Sequence, residues 1–261
     1  MSRIAETFAR LKATQRTALI PYVVVGQPEL ATTPQIVSAL IEAGADLVEL
    51  GVPFSDPLAD GPVIQRATHE ALLRGVTPHD CLRTAKQIRA QHPRTPLIFM
   101  GYYNPIMRFG VETYARACVA AGVDGLIVPD LPYEESDELA SACATQGIDL
   151  IPLIAPTSNE QRIEQMAKAA TGFIYCVSVV GVTGARGSLS TEVEALAQRI
   201  RRHTDLPLAI GFGISQRAQV QQVAAFADGA VVGSALVNVI AQAAKGREAE
   251  QAAMYWRALR V

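Results

Sequence analysis

The sequence predicts an α/β fold, a single (β/α)8 TIM barrel over residues 1–261 with an extra N-terminal and an extra C-terminal helix. Three observations predict it. Eight short apolar, β-branched runs recur along the chain, amphipathic stretches of helical spacing lie between them, and 261 residues is close to the length at which such barrels are found. Alternating strands and helices force parallel strands joined by crossover helices. An open doubly wound sheet is the competing arrangement.

The first element is helical. In residues 1–17, Ile4, Phe8 and Leu11 recur at helical intervals with charges between them, and no apolar core of signal-peptide length is present. The chain is therefore expected to be soluble and cytoplasmic, and no apolar stretch approaches the roughly 20 residues that span a bilayer. The first strand is ALIPYVVVG (18–26), followed by the helix TPQIVSALIEAG (33–44), which ends at a glycine. LVELGV (47–52) and PLIFMGYY (96–103) are the second and third strands. The helix VETYARACVAAG (111–122) then leads into the fourth, GLIVPD (125–130). DLIPLIAP (149–156) is the fifth, the helix NEQRIEQMAKAA (159–170) follows, and GFIYCVSVV (172–180) is the sixth. LPLAIGFG (206–213) and GAVVGSA (229–235) complete the eight. QAAMYWRALRV (251–261) reads as a last helix with Met254 and Trp256 packed on the outside of the barrel.

With 49% hydrophobic residues the chain can bury one sizeable core. A formal net charge of −2 and the lack of a basic run with interleaved aromatics exclude the electrostatic footprint of a nucleic-acid binder. A small-molecule partner fits better. Cys81, Cys118, Cys143 and Cys176 are far apart with no CxxC pair, as expected of buried thiols in a reducing compartment. His69, His79, His92 and His203 lack metal-ligand spacing, and no bound metal is expected.

Barrel geometry directs the search for chemistry to the C-terminal ends of the strands and the loops that follow. In LVELGV the side chains alternate, so Val48, Leu50 and Val52 share the face that suits the helix layer and Glu49 points into the barrel. An ionised carboxylate there is costly unless it is paired or takes up a proton, which invites use as a general acid or base. A purely supporting, hydrogen-bonded glutamate is the alternative. Asp60 lies on the loop after the same strand and can face a ligand over Glu49. Equally, Asp60 can cap the helix that Pro62 opens, and Asp56 before Pro57 has the same turn-forming use. Two carboxylates in different surroundings are what proton shuffling on one substrate requires.

Glycines after the seventh and eighth strands, in GFGIS (211–215) and GSA (233–235), let backbone N–H groups approach an anion, at the usual phosphate position of this fold. GVTGARGSLS (181–190) is too long for a tight turn and reads as a lid, or else as plain disorder. Only Lys12, Lys86, Lys168 and Lys245 are lysines, all on helical stretches, so no inward Schiff-base lysine is available and the electron sink falls to the substrate.

Taken in order, LVELGVPFSDPLADGP (47–62), GYYNPI (101–106), GVTGAR (181–186), GFGIS and the GS after the eighth strand resemble the α subunit of tryptophan synthase, nearly from end to end. The resemblance implies retro-aldol cleavage of indole-3-glycerol phosphate to indole and glyceraldehyde 3-phosphate, with the indole ring as electron sink and no cofactor in this chain. It implies that Glu49 shuttles protons at indole C3 and the glycerol hydroxyl, and that Asp60 stabilises charge on the indole nitrogen. Tyr175, Tyr22 and Phe212 would line the indole pocket; Thr183 would bond Asp60 when the lid closes; Gly184, Gly213, Gly233 and Ser234 would hold the phosphate. Pro53, Asp56, Pro57, Asn104 and Pro132 would face a β subunit in an α2β2 complex, and pyridoxal phosphate would belong to that partner. Gly26, Gln27 and Pro28 stand where the family commonly has GDP, and Val180 and Gly187 depart from its usual lid wording. A non-catalytic barrel that only activates a β partner, a sugar-phosphate isomerase, and a stand-alone indole producer are the competing functions.

Overall fold

The computed structural model describes residues 1–177, 191–211 and 213–261. Nine strands form one sheet: β1 (Ala18–Val24), β2 (Val48–Gly51), β3 (Leu97–Met100), β4 (Gly125–Ile127), β5 (Asp149–Leu150), β6 (Leu153–Ile154), β7 (Ile174–Val177), β8 (Leu208–Gly211) and β9 (Gly229–Val232). Their order is β5-β4-β3-β2-β1-β9-β8-β7-β6, and the pairings are parallel. Among the described residues there are twelve α-helices. They are α1 (Arg3–Ala13), α2 (Thr33–Glu42), α3 (Pro62–Leu73), α4 (Pro78–Gln91), α5 (Tyr103–Phe109) and α6 (Val111–Ala121), then α7 (Asp137–Gln146), α8 (Glu160–Ala169), α9 (Thr191–Arg201), α10 (Arg217–Ala224), α11 (Ser234–Gln242) and α12 (Glu248–Leu259). No helix is long and apolar enough to cross a membrane among the described residues.

The run 149–156, expected as one strand, is divided, and Pro152 is the physical reason. Proline has no N–H to give to a ladder. The first half bonds to β4, with Ile151 N donating to Leu126 O at 2.9 Å; the second half bonds to β7, with Tyr175 N donating to Pro152 O at 3.0 Å. β5 and β6 are the two ends of the sheet, yet only Ile151 and Pro152 separate them in the chain. Three residue steps span at most about 11 Å. The sheet is therefore curled until its two edges lie within that distance.

Helices cover the outside of the curl and bury one apolar face each: Ile36, Val37 and Leu40 on α2, Cys81, Ala85 and Ile88 on α4, Ile163 and Met166 on α8. All four cysteines are buried. Full burial of such an aliphatic side chain contributes about 1.5–3 kcal/mol. The third strand stops at Met100, short of its expected end, because Tyr103 already opens α5. In α12 the helical period separates two residues expected together on the outside of the barrel. Trp256 is fully buried, in a helix that packs on α2 and α11, whereas Met254 is 54% exposed.

The N-terminal ends of the strands are closed by α1 and by four aspartates. Phe8 of α1 meets Phe173 with ring centroids 5.6 Å apart, and Ile4 and Leu11 are buried beside it. Asp46 accepts from Leu19 N at 3.1 Å and Asp228 from Leu208 N at 2.7 Å, with Arg201 as a second donor to Asp228. Asp149 accepts from Ser2 Oγ at 2.7 Å. Asp124 accepts from Leu97 N at 2.8 Å, from Arg89 at 2.5 Å and from Arg3 at 2.8 Å. Each side chain thus ties the strand it precedes or begins to a neighbouring element.

Candidate active site

At the opposite ends of the strands the carboxylates are treated differently. Glu49 is fully buried on β2, and neither of its carboxylate oxygens has a hydrogen-bond partner among the described residues. It stands in register with Tyr22 of β1. Its charge also acts on Tyr175 of β7, a strand separated from β2 by three others in the sheet order, so the two side chains face the same interior of the curl. The inward direction expected from the alternation of LVELGV is observed. Burial disfavours the charged form and pushes the Glu49 carboxyl up to about 8.

Tyr22 and Tyr175 are each 5% exposed and flank Glu49. Their hydroxyls reach over neighbouring strands into space that two glycines leave open. A methyl group on Gly51 would run into the Tyr22 hydroxyl, and one on Gly211 into that of Tyr175, both far inside contact distance. Glycine in these strands is there for close approach. Burial, first of all, raises both phenols well above their ordinary value; Asp60 then leads the charges acting on Tyr22 and Glu49 those acting on Tyr175.

Of its two expected uses, Asp60 does not take the helix cap. Gly61, not Asp60, is the cap of α3, and Pro62 occupies the first turn as expected. The Asp60 carboxylate instead accepts from the Tyr102 hydroxyl at 3.0 Å, and that hydroxyl accepts from Ala59 N at 3.1 Å. Burial lifts Asp60 to about 6, opposed by the Tyr102 bond. One site therefore holds two carboxyl groups of unlike proton affinity, the pairing that divides acid from base. Tyr102 went unassigned on sequence; its position just past a strand end, in GYYNPI, was the available signal.

Gly213 has φ +76° and nothing crowds it. Gly233 caps α11 with no side-chain bond among the described residues, and Ser234 opens that helix exposed, so its first-turn N–H groups can face an anion. A Cβ on Gly233 would sit 3.7 Å from Tyr22 Cβ and 3.8 Å from Ile64 Cδ1, so this mouth adjoins the tyrosine pocket. Thr183, Gly184, Phe212 and the expected lid, with Val180 and Gly187, lie outside the described residues.

Of the residues expected to face a partner, Asp56, Asn104 and Pro132 are exposed, Pro57 is half-buried, and Pro53 is buried within the chain. Leu58, beside them, is 90% exposed. The four lysines all lie outside the strands: Lys12 on α1, Lys86 on α4, Lys168 on α8 and Lys245 after α11. Among the described residues no three His, Cys, Asp or Glu converge as a metal site. A cavity of about 490 Å³ lies between α7 and α8. Its lining includes Asp130 and Asp137, and burial, first of all, pushes its Cys143 thiol up to about 12.

Comparison with known proteins gives one answer. The family profile "Tryptophan synthase alpha chain" matches residues 8–259. The tryptophan synthase alpha chain of Roseiflexus sp. (strain RS-1) is 51% identical over 260 residues, covering 100% of both chains. That of Chloroflexus aurantiacus is 52% identical over 259 residues, covering 99% of this chain and 97% of the relative. Among solved structures, tryptophan synthase subunit alpha from Legionella pneumophila superposes with a TM-score of 0.92 at 37% identity, covering 100% of this chain and 97% of that one. A chain of tryptophan synthase from M. tuberculosis in its aminoacrylate-bound form superposes with a TM-score of 0.89 at 35% identity, covering 99% and 98%.

Proposed function

The chain belongs to the tryptophan synthase alpha chain family, and from that premise we propose how its residues carry the family reaction. The reaction is the lyase step of tryptophan biosynthesis, cleavage of indole-3-glycerol phosphate to indole and glyceraldehyde 3-phosphate, and the chain functions with a β subunit. Glu49 is the proton shuttle. At neutral pH its carboxyl carries a proton, which it gives to indole C3. The resulting cationic ring draws the electron pair of the C3–glycerol carbon bond toward its nitrogen as that bond breaks. The glycerol hydroxyl on the same carbon loses its proton to the Glu49 carboxylate and becomes the aldehyde. Asp60, ionised, faces the positive charge on the ring nitrogen.

The carrying observation is the fully buried carboxyl of Glu49 with no partner among the described residues, which a supporting role would have paired. Tyr22 and Tyr175 form the walls against the indole, with Phe212 as a third aromatic, and Thr183 bonds Asp60 on closure. The phosphate is held by Gly184, Gly213, Gly233 and Ser234, supported by the uncapped start of α11. Asp56, Pro57, Asn104, Pro132 and the backing Pro53 form the face for the β subunit of an α2β2 complex, supported by the exposure of Asp56, Asn104 and Pro132. The chain needs no cofactor of its own, supported by the absence of any lysine on a strand; pyridoxal phosphate belongs to the partner. We also read residues 1–261 as one cytoplasmic (β/α)8 domain in which residues 149–154 act as a single strand closing the curl, with α1 and α12 as its terminal additions.

The test is indole release from indole-3-glycerol phosphate by the purified chain without added metal or cofactor, with and without β subunit. Glu49→Gln is expected to lose about 10²–10⁴-fold in turnover while still binding a phosphate analogue of the substrate. Near wild-type turnover in that variant overturns the assignment.

A further inference from the structure

Tyr102 lies where three stretches proposed above to face the partner come together. It is 5% exposed, directly precedes α5, and its side chain does not cap that helix. The phenol turns instead to the loop after β2 and touches it at three points. Its ring stands 5.3 Å from that of Phe54, its oxygen accepts from Ala59 N at 3.1 Å, and it donates to the Asp60 carboxylate at 3.0 Å. The residues bracketed by these contacts, Ser55 to Leu58, form the exposed tip of the loop, with Leu58 90% in solvent. Downstream, α5 carries exposed Asn104 and Met107, and Tyr103 N donates to Asp130 at 2.9 Å, two residues from exposed Pro132.

Pressure on the loop tip or on α5 therefore reaches one phenol, and that phenol holds a carboxylate. We propose that Tyr102 is a positioning residue that delivers docking of the β subunit to Asp60, fixing the carboxylate against the ring nitrogen when the partner is bound. This rests on the reading of Asp60 as the group that meets the indole nitrogen. The physical basis is that two hydrogen bonds and a ring contact over one side chain leave the loop little freedom to move without moving Asp60. The hydroxyl bond also favours the ionised carboxylate.

The test compares Tyr102→Phe, Phe54→Leu and Asp60→Asn with the parent chain, measuring indole release alone and at saturating β subunit, partner affinity, and the pH profile of kcat. Tyr102→Phe keeps the ring and loses the hydroxyl. Its stimulation by the partner is expected to fall at least fivefold, its partner affinity to stay within twofold, and the acid limb of its profile to move to higher pH. Phe54→Leu keeps the hydroxyl; it is expected to lose a smaller part of the stimulation with the acid limb unmoved, and it carries the test if Tyr102→Phe does not fold. Parental stimulation in both variants, or in Phe54→Leu where it alone folds, overturns the proposal; so does an unmoved acid limb in a folded Tyr102→Phe. Asp60→Asn separates the two readings. If it keeps parental turnover, the role of Asp60 falls and this proposal with it; if it loses turnover while Tyr102→Phe behaves as the parent, only the role of Tyr102 falls.

Discussion

Asp124 and Glu49 are both buried carboxylates of one sheet, two strand positions apart: one immediately before β4, the other within β2. Asp124 receives a backbone N–H and two guanidinium groups, all within 2.8 Å. Glu49 receives nothing from the described residues. The first arrangement spends a charge on holding elements together: Arg89 reaches from α4 and Arg3 from α1. The second leaves a carboxyl whose interactions are reserved for a substrate. Proteins rarely leave buried polar groups unmatched, and where they do, the group is a functional candidate. The contrast repeats along the rims, with Asp46, Asp149 and Asp228 bonded at the strand starts while Asp60, held by one phenol, remains lifted to about 6.

The largest expected effects test that contrast directly. Glu49→Gln is expected to lose about 10²–10⁴-fold in turnover, yet to melt no lower than the parent, because no bond among the described residues is lost. Calorimetry checks the second half; a lower Tm would mean that Glu49 supports the fold and would break the comparison. Asp124→Asn should do the reverse. Leaving Arg89 buried beside a neutral amide is expected to cost about 3 kcal/mol by denaturant titration, with turnover per folded molecule unchanged. A loss of turnover without loss of stability would sink the assignment of Asp124 to the scaffold.

How much of this was legible before the structure follows the range of the interactions. The inward direction of Glu49 is local, set by two-residue alternation in LVELGV, and it was readable. Asp60 was ambiguous because its neighbours fit a helix cap equally well; the deciding partner, Tyr102, lies 42 residues away. Gly211 falls in the phosphate motif GFGIS and Gly51 carries no signal of its own, since the reason for both is a tyrosine on another strand. Pro152 carried the division of the fifth run in plain sight, but a proline in an apolar run becomes a break only when both halves find different neighbours. The separation of Trp256 from Met254 required knowing which face of α12 meets α2.

pH sharpens the comparison further. Turnover requires Asp60 ionised and Glu49 protonated, so kcat is expected to fall below about 6 and again above about 8, roughly tenfold per pH unit on each side. Stability should show both groups with the same sign, Asp60 between its ordinary 3.8 and about 6 and, over the wider window, Glu49. Its folded value is raised above the ordinary 4.5, so between 4.5 and about 8 the folded chain keeps a proton that the unfolded chain has lost. Stability from this group therefore falls as pH rises through that window. Glu49→Gln removes that slope, and parallel pH–stability curves for parent and variant would show that burial does not hold the proton.

The smallest effect asks whether the strand-start aspartates need charge partners at all. Ser2 is the cap of α1, accepting from Ala5 N at 3.3 Å while its hydroxyl donates to Asp149 at 2.7 Å. Burial raises Asp149, and the Ser2 bond opposes that rise. Ser2→Ala removes cap and donor together, with an expected loss of about 1 kcal/mol. Because Asp149 would then lose a bond that favours its ionised form, the loss should be largest near neutral pH and shrink as acid protonates the carboxyl. A loss independent of pH would assign the whole effect to the helix cap. The hydroxyl would then add nothing to Asp149, and the pairing that distinguishes the two rims would narrow to the aspartates with arginine or backbone donors.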